Sequence, residues 1–310
     1  VMEPAITYAR EGYPVSPVIS KIWNNAYKEF IDTLKDESFK PWFDTFARDG
    51  HAPQPGEIWK SEDHAETLKK IAKTHAKAFY QGELGDQIDA YSRKTGGYLQ
   101  KSDLENYWCQ WVKPIHVNYR GYDVCEIPPN GDGIIALMAL NILKGYSFED
   151  RNRVDTVHKQ LEAMKLAFAD GNRYVADAEF MRAPVETLLS EEYAAERRTL
   201  IGEEAKAPEP GDPFRRGTIY LCTADGEGNM VSYIQSNYMG FGSGIVIPGT
   251  GIALQNRGAN FTLDETMENC LGPGKKSLHT IIPGFLMKDG KAVGPFGVMG
   301  GFMQPQGHVQ

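Results

Sequence analysis

What most limits this chain is the order of its patterns. Helical periodicity fills roughly the first two hundred residues, and strands become dense only after one charged, proline-rich stretch. That stretch, Glu203-Glu204-Ala205-Lys206-Ala207-Pro208-Glu209-Pro210-Gly211-Asp212-Pro213, has the composition of an extended and exposed segment running to about residue 216. Upstream, residues 17–33 place Val18, Ile19, Ile22, Trp23, Tyr27 and Phe30 at helical spacing. A second helix is predicted over 61–82, behind a Ser-Glu-Asp start, and a third over 154–173, with Val157, Leu161, Met164 and Phe168 on its apolar side. Ser102 and Glu105 have capping-box spacing. Downstream, strands are predicted at 218–224, 230–235, 252–256, 281–287 and 292–298, with a turn at 225–229 and glycine-rich loops at 240–251.

Between these regions lies one early hairpin, 115–119 and 122–127, turning at Arg120-Gly121. It runs into Pro128-Pro129-Asn130-Gly131-Asp132-Gly133 and the apolar run 134–143. A loop feeding a helix N-terminus can bind an anion or can simply be a tight turn. No Lys-Ser or Lys-Thr follows these glycines, so the loop is not a P-loop.

A chain of 310 residues can bury one large core or two smaller ones. Its formal net charge of −8 and its scattered Lys and Arg argue against a nucleic-acid partner. No stretch is apolar enough for a transmembrane helix. Cys109, Cys125, Cys222 and Cys270 show no CxxC spacing and no neighbouring His cluster, so no metal site is expected and buried free thiols are. Val1 precedes the first Met, and the start reads as cut into a longer sequence. The compartment therefore stays open between cytoplasmic and secreted or periplasmic.

Chemistry enters where the linker ends, at Gly217-Thr218. A threonine hydroxyl is a weak nucleophile unless a base sits beside it, and at a chain start its own α-amine is that base. A free α-amine has an ordinary pKa of about 7.7–8.0, so much of it accepts a proton near neutral pH. The requirement is a peptide bond that breaks between Gly217 and Thr218.

The run Thr218-Ile219-Tyr220-Leu221-Cys222-Thr223-Ala224-Asp225-Gly226-Glu227-Gly228-Asn229 resembles the opening of the small subunit of γ-glutamyltranspeptidases, self-cleaving N-terminal-nucleophile hydrolases. The resemblance spans the chain in order, through Gly12-Tyr13-Pro14-Val15-Ser16, Gly96-Gly97-Tyr98-Leu99, Tyr119-Arg120-Gly121-Tyr122, Glu162-Ala163-Met164-Lys165, Phe241-Gly242-Ser243-Gly244 and Gly300-Gly301. It implies an α+β fold, the four-layer αββα sandwich, incomplete here at both ends. Residues 1–217 would form a mainly helical large-subunit part and 218–310 a β-rich small-subunit part, together one structural domain.

By the same resemblance, Gly217-Thr218 is the cleavage site and Thr218 the nucleophile. Ser236 stands in for a supporting Thr, and Gly300-Gly301 supply oxyanion-hole N–H groups. The family's glutamyl clamp is altered. Asn260 replaces its acidic residue, Arg257 a Gln, His279-Thr280 a serine pair, and Tyr238 an Asn, with Asn237 adjacent. Ile219 and Tyr220 also depart from the pattern. These changes resemble the cephalosporin acylase-like and oxamate amidohydrolase-like branch, and an added cation favours an anionic or neutral acyl group. The implied function is amide cleavage or acyl transfer through a threonyl acyl-enzyme, with no metal or organic cofactor. Its partners would be a small amide and the two subunits of one precursor, with a homodimer of these also open. The γ-glutamyl, acidic-acyl and oxamate-type substrates stay open, as does an uncut homologue that only binds.

Overall fold

A computed structural model describes residues 1–205 and 217–310. The predicted linker lies almost wholly outside the described residues. Two compact units divide the chain, Val1–Gln110 with Gly240–Gln255, and Trp111–Met239 with Asn256–Gln310.

The first unit is helical. It comprises α1 (Glu3–Glu11), β1 (Tyr13–Pro14), α2 (Pro17–Thr33), α3 (Lys40–Phe46), β2 (Ile58–Trp59), α4 (Glu62–Thr74), α5 (Lys77–Tyr80), α6 (Glu83–Lys94) and α7 (Lys101–Glu105). Ser16 caps α2 by accepting from the Ile19 N–H, and Pro17 occupies the first turn, where no N–H is needed. Trp23, Trp42, Phe46 and Val246 form the buried centre, with Phe30, Phe43 and Phe241 packed on it.

Three expectations fail here for local reasons. The helix predicted over 61–82 is two helices, because His75 and Ala76 take left-handed φ values of 49° and 66° and end α4. The capping box sits two residues earlier than Ser102–Glu105. Gln100 and Asp103 exchange backbone and side-chain hydrogen bonds at the start of α7. The strand predicted over 252–256 shrinks to an isolated bridge between Val246 and Ala253.

The second unit carries the sheet. Strands β3 (Ile115–Tyr119) and β4 (Tyr122–Glu126) pair across the predicted turn, followed by helices α8 (Gly133–Lys144), α9 (Val154–Tyr174), α10 (Val185–Leu188) and α11 (Glu191–Arg198). Then come the hairpin β5 (Gly217–Ala224) and β6 (Met230–Tyr238), strands β7 (Gly284–Lys288) and β8 (Lys291–Phe296), and α12 (Gln304–Val309). The antiparallel order β3-β4-β7-β8 makes one four-stranded sheet, and β5-β6 form a separate ribbon.

Helix α8 is buried all round, from Gly133 to Leu143, as its unbroken apolar sequence requires. Each fully buried Leu or Ile there contributes about 1.5–3 kcal/mol. It crosses α9 at Gly171, where a Cβ would come within 2.4 Å of Ile135 Cδ1. Helix α9 follows its predicted span but turns a different face inward. Ala163, Met164 and Ala167 are buried, whereas Val157 and Leu161 are exposed. All four cysteines are free, but only Cys125 is buried, and Cys109 and Cys222 are exposed.

Candidate active site

The hairpin β5-β6 places the predicted nucleophile. Thr218 pairs with Ser236, while Gly217 pairs with Tyr238, so Asn237 is an extra residue in β6. Such a bulge bends the strand and re-aims side chains, and bulges recur beside active sites. Thr218 is buried, and its Oγ1 donates to Ser236 Oγ at 3.1 Å. The Tyr238 N–H also donates to Ser236 Oγ, at 2.8 Å, which holds that hydroxyl from a second side. Both are donations to the serine oxygen. While a peptide bond joins Thr218 to Gly217, the Thr218 nitrogen is an amide and not a base.

The residues assigned to the altered clamp gather behind Tyr238. Its ring lies 5.0 Å from the Arg257 guanidinium carbon, and Arg257 Nη1 donates to Thr280 Oγ1 at 2.9 Å. A cation over an aromatic face, largely removed from water, is held by the ring quadrupole. Arg257 is only 3% exposed and Thr280 only 1%, so the pair reads as a wall of the site more than an open hook. Asn260 donates from Nδ2 to the Leu278 carbonyl at 2.9 Å, which commits its amide to the backbone. Asn237 contributes its own carbonyl, which accepts from the Asn256 N–H at 3.2 Å.

His279 is stitched into the loop after β4, because its N–H donates to the Asn130 carbonyl and its carbonyl accepts from the Asp132 N–H. Burial, and secondarily the Arg257 charge, push its imidazole down to about 3. His279 is therefore neutral across the physiological range. Gly300 and Gly301 come after β8, with φ of 152° and 58°, a backbone path that side chains disfavour. Neither glycine has a side chain of its own to cover its N–H group.

Sequence reasoning missed the buried carboxyl of Asp132. Neither of its oxygens has a hydrogen-bond partner, and the residue is fully buried. Burial, with Glu126 adding like charge, lifts its pKa well above the usual carboxylate range, and Arg257 opposes this. An acid whose pKa is raised by folding binds more protons folded than unfolded. Stability is then lost as pH climbs from about 4, the ordinary carboxylate value, toward the raised one. Asp132→Asn is expected to melt higher than the parent at pH 8, with the gap closing toward pH 4.5. Thermal melts at the two pH values check it.

Comparisons with known proteins identify relatives of the chain. Residues 1–310 match the family described as Gamma-glutamyltranspeptidase. The glutathione hydrolase-like YwrD proenzyme of Bacillus subtilis (strain 168) is 37% identical over 308 residues, covering 99% of this chain and 57% of that protein. The acylase ACY 1 proenzyme of Pseudomonas sp. (strain SE83) is 34% identical over 307 residues, covering 97% and 54%. Among solved structures, a cephalosporin acylase from Bacillus halodurans superposes with a TM-score of 0.96 at 60% identity, over 99% of this chain and 57% of that one. The γ-glutamyltranspeptidase of Helicobacter pylori superposes with a TM-score of 0.61 at 31% identity, over 67% and 59%. The chain thus spans little more than half the length of the relatives it matches.

Proposed function

The chain belongs to the γ-glutamyltranspeptidase family and shares the mixed α and β fold of its N-terminal-nucleophile hydrolases, and on that premise we propose that it forms the processing and acyl-transfer centre of a self-cleaving amidohydrolase. The observation that carries the proposal is the Thr218 Oγ1 to Ser236 Oγ hydrogen bond of 3.1 Å at the mouth of a bulged hairpin. In the first stage the Thr218 hydroxyl attacks the Gly217 carbonyl carbon. The Gly217–Thr218 C–N bond then breaks, leaving a Gly217 ester on Thr218 Oγ and a free Thr218 amine. Water cleaves that ester, and the two pieces remain together as large and small subunits. In the second stage the amine takes the hydroxyl proton as Oγ attacks a substrate amide, then returns it to the leaving amine. The Gly300 and Gly301 N–H groups receive the oxyanion, each contributing on the order of 3 kcal/mol, and water or an acceptor amine releases the acyl group.

The preferred acyl group is anionic or neutral and not the zwitterionic γ-glutamyl end. An ammonium group needs a carboxylate, and position 260 offers an amide that is already bonded to Leu278. The guanidinium of Arg257, held against the Tyr238 ring, repels an ammonium. Relatives named as an acylase and an oxamate amidohydrolase fit this preference, whereas those named as glutathione hydrolases mark the competing one. Release of product from an acidic acyl anilide, compared with a γ-glutamyl anilide, decides between them. Faster turnover of the γ-glutamyl substrate would overturn the preference.

Ser236 is expected to matter through its hydroxyl and not its shape. Ser236→Ala should slow self-cleavage on the order of 100-fold, the usual worth of a positioned proton-transfer group, while Ser236→Thr retains most of the rate. Intact-mass time courses at matched protein concentration give both half-times.

A further inference from the structure

We propose that Gln304 and His308, one helical turn apart on α12, are positioning residues that hold the Gly300-Gly301 turn in its working geometry. The proposal rests on the reading above, in which those glycines present the oxyanion donors. Two consecutive glycines at positive φ have no side chains to pack and many alternative conformations. Whatever fixes them must come from neighbours. The turn passes directly through a single 3₁₀ turn, Gly301–Met303, into α12, and a six-residue helix is not stable by itself. The anchors of α12 therefore decide where the turn sits.

Its two anchors lie at i and i+4, on one face. Gln304 is completely buried and donates from Nε2 to the Thr280 carbonyl at 2.5 Å. His308 has a fully buried side chain, with Nδ1 2.5 Å from Glu126 Oε1 and its ring 4.8 Å from that of Phe296. Glu126 closes β4, in the central part of the sheet, so this contact ties α12 to the most rigid element nearby. Thr280 is the shared hub. Its carbonyl takes Gln304, and its hydroxyl takes Arg257. Arg257 in turn covers Tyr238, whose N–H holds Ser236, the partner of Thr218. A continuous series of contacts thus runs from the nucleophile to the helix that follows the glycine turn.

Stability alone does not account for this choice of side chains. Removing a carboxylate and an imidazole from water is costly, and well-packed apolar residues often serve stability as well or better. The network also leaves Glu126 Oε2, Gln304 Oε1 and His308 Nε2 buried without partners. What it supplies is direction, since each anchor bond fixes one orientation of α12 where apolar contact would tolerate several. A shift of about 1 Å in a catalytic donor costs on the order of 100-fold in rate, so small errors in this helix matter.

The test uses the complete precursor protein with Gln304→Met, His308→Leu, His308→Gln, Glu126→Leu and Glu126→Gln. Melting temperature, self-cleavage rate, and kcat and KM per cleaved Thr218 are read for each. Gln304→Met, His308→Leu and Glu126→Leu are expected to lower kcat by about 10-fold to 100-fold with KM within about twofold, whatever their Tm. His308→Gln and Glu126→Gln each keep a hydrogen-bonding group toward the partner and should recover most of the loss. A purely structural role predicts the opposite split, with lower Tm and unchanged kcat per cleaved chain, and that result overturns the proposal. So does a conservative variant no better than its leucine counterpart. Should one leucine variant fail to fold, the Gln304→Met split and the other His308 or Glu126 pair still decide. A parent protein that neither cuts itself nor turns over any amide removes the proposed activity and this proposal together.

Discussion

Thr218→Ala is expected to leave one intact polypeptide after long incubation and no detectable amide turnover, a loss on the order of 10³-fold or more. The argument is one of connectivity. The attacking atom must reach the Gly217 carbonyl, and the Thr218 hydroxyl is the group joined to that bond by its own backbone. Ser236 Oγ is only 3.1 Å away from Thr218 Oγ1, but it sits on the partner strand and is already held by the Tyr238 N–H. Its geometry suits a proton relay and not a replacement nucleophile. Intact mass spectrometry of the parent, showing two pieces with Thr218 as the new N-terminus, completes the comparison. If the alanine variant cut at the same bond, another group would be the nucleophile. If neither protein cut, the chain would belong to the binding homologues and the enzymatic reading would fall. Thr218→Ser separates hydroxyl chemistry from side-chain shape, and should cut, more slowly, because the β-methyl that restricts χ1 is gone.

The hairpin under this site was legible in the sequence because its parts are local, whereas the roles of Thr218 and Ser236 rest on the family resemblance. Thr218, Ser236 and Tyr238 lie on one hairpin, and strand pairing follows from alternation and from the turn at Asp225-Gly226-Glu227-Gly228-Asn229. The bulge that admits Asn237 was not legible, because a one-residue slip leaves the alternating pattern almost unchanged. Long-range polar contacts escaped for a different reason. Glu126 and His308 are separated by 182 positions, and neither has a neighbour in sequence that suggests a pair. Gln304 and His308 fall on one face of a short helix that Pro305 and Gly307 hide from a reading of the sequence. The family resemblance puts Arg257 at the substrate, and the fold gives its side chain Thr280 and the Tyr238 ring as partners. Burial is set by everything that packs around a residue, and one position's identity does not reveal it. The break after Thr74 shows the same limit on a smaller scale, since His75 and Ala76 are ordinary helix residues driven to positive φ by their surroundings.

Trp42→Ala is expected to cost about 3–5 kcal/mol, the usual range for deleting a large buried ring. Trp42 has no solvent exposure and is surrounded by the rings of Phe30, Phe43, Phe46 and Phe241, with centroids 4.9, 5.0, 5.8 and 5.1 Å away. Four flat neighbours cannot collapse into the vacated volume without abandoning their contacts with one another, so the cavity persists and the cost stands toward the upper end. Against a total stability of about 5–15 kcal/mol, such a loss lowers Tm by roughly 6–20 °C, read by calorimetry. Trp42→Phe separates two contributions. It opens a smaller cavity, but it also removes an indole N–H that is buried with no acceptor. Leaving such a donor unpaired costs about 1–3 kcal/mol, so deleting it offsets part of the lost packing. The phenylalanine variant should therefore lose less than half of what the alanine variant loses. Equal losses would mean that the indole N–H is satisfied in solution and that the ring's volume alone sets the stability of this core.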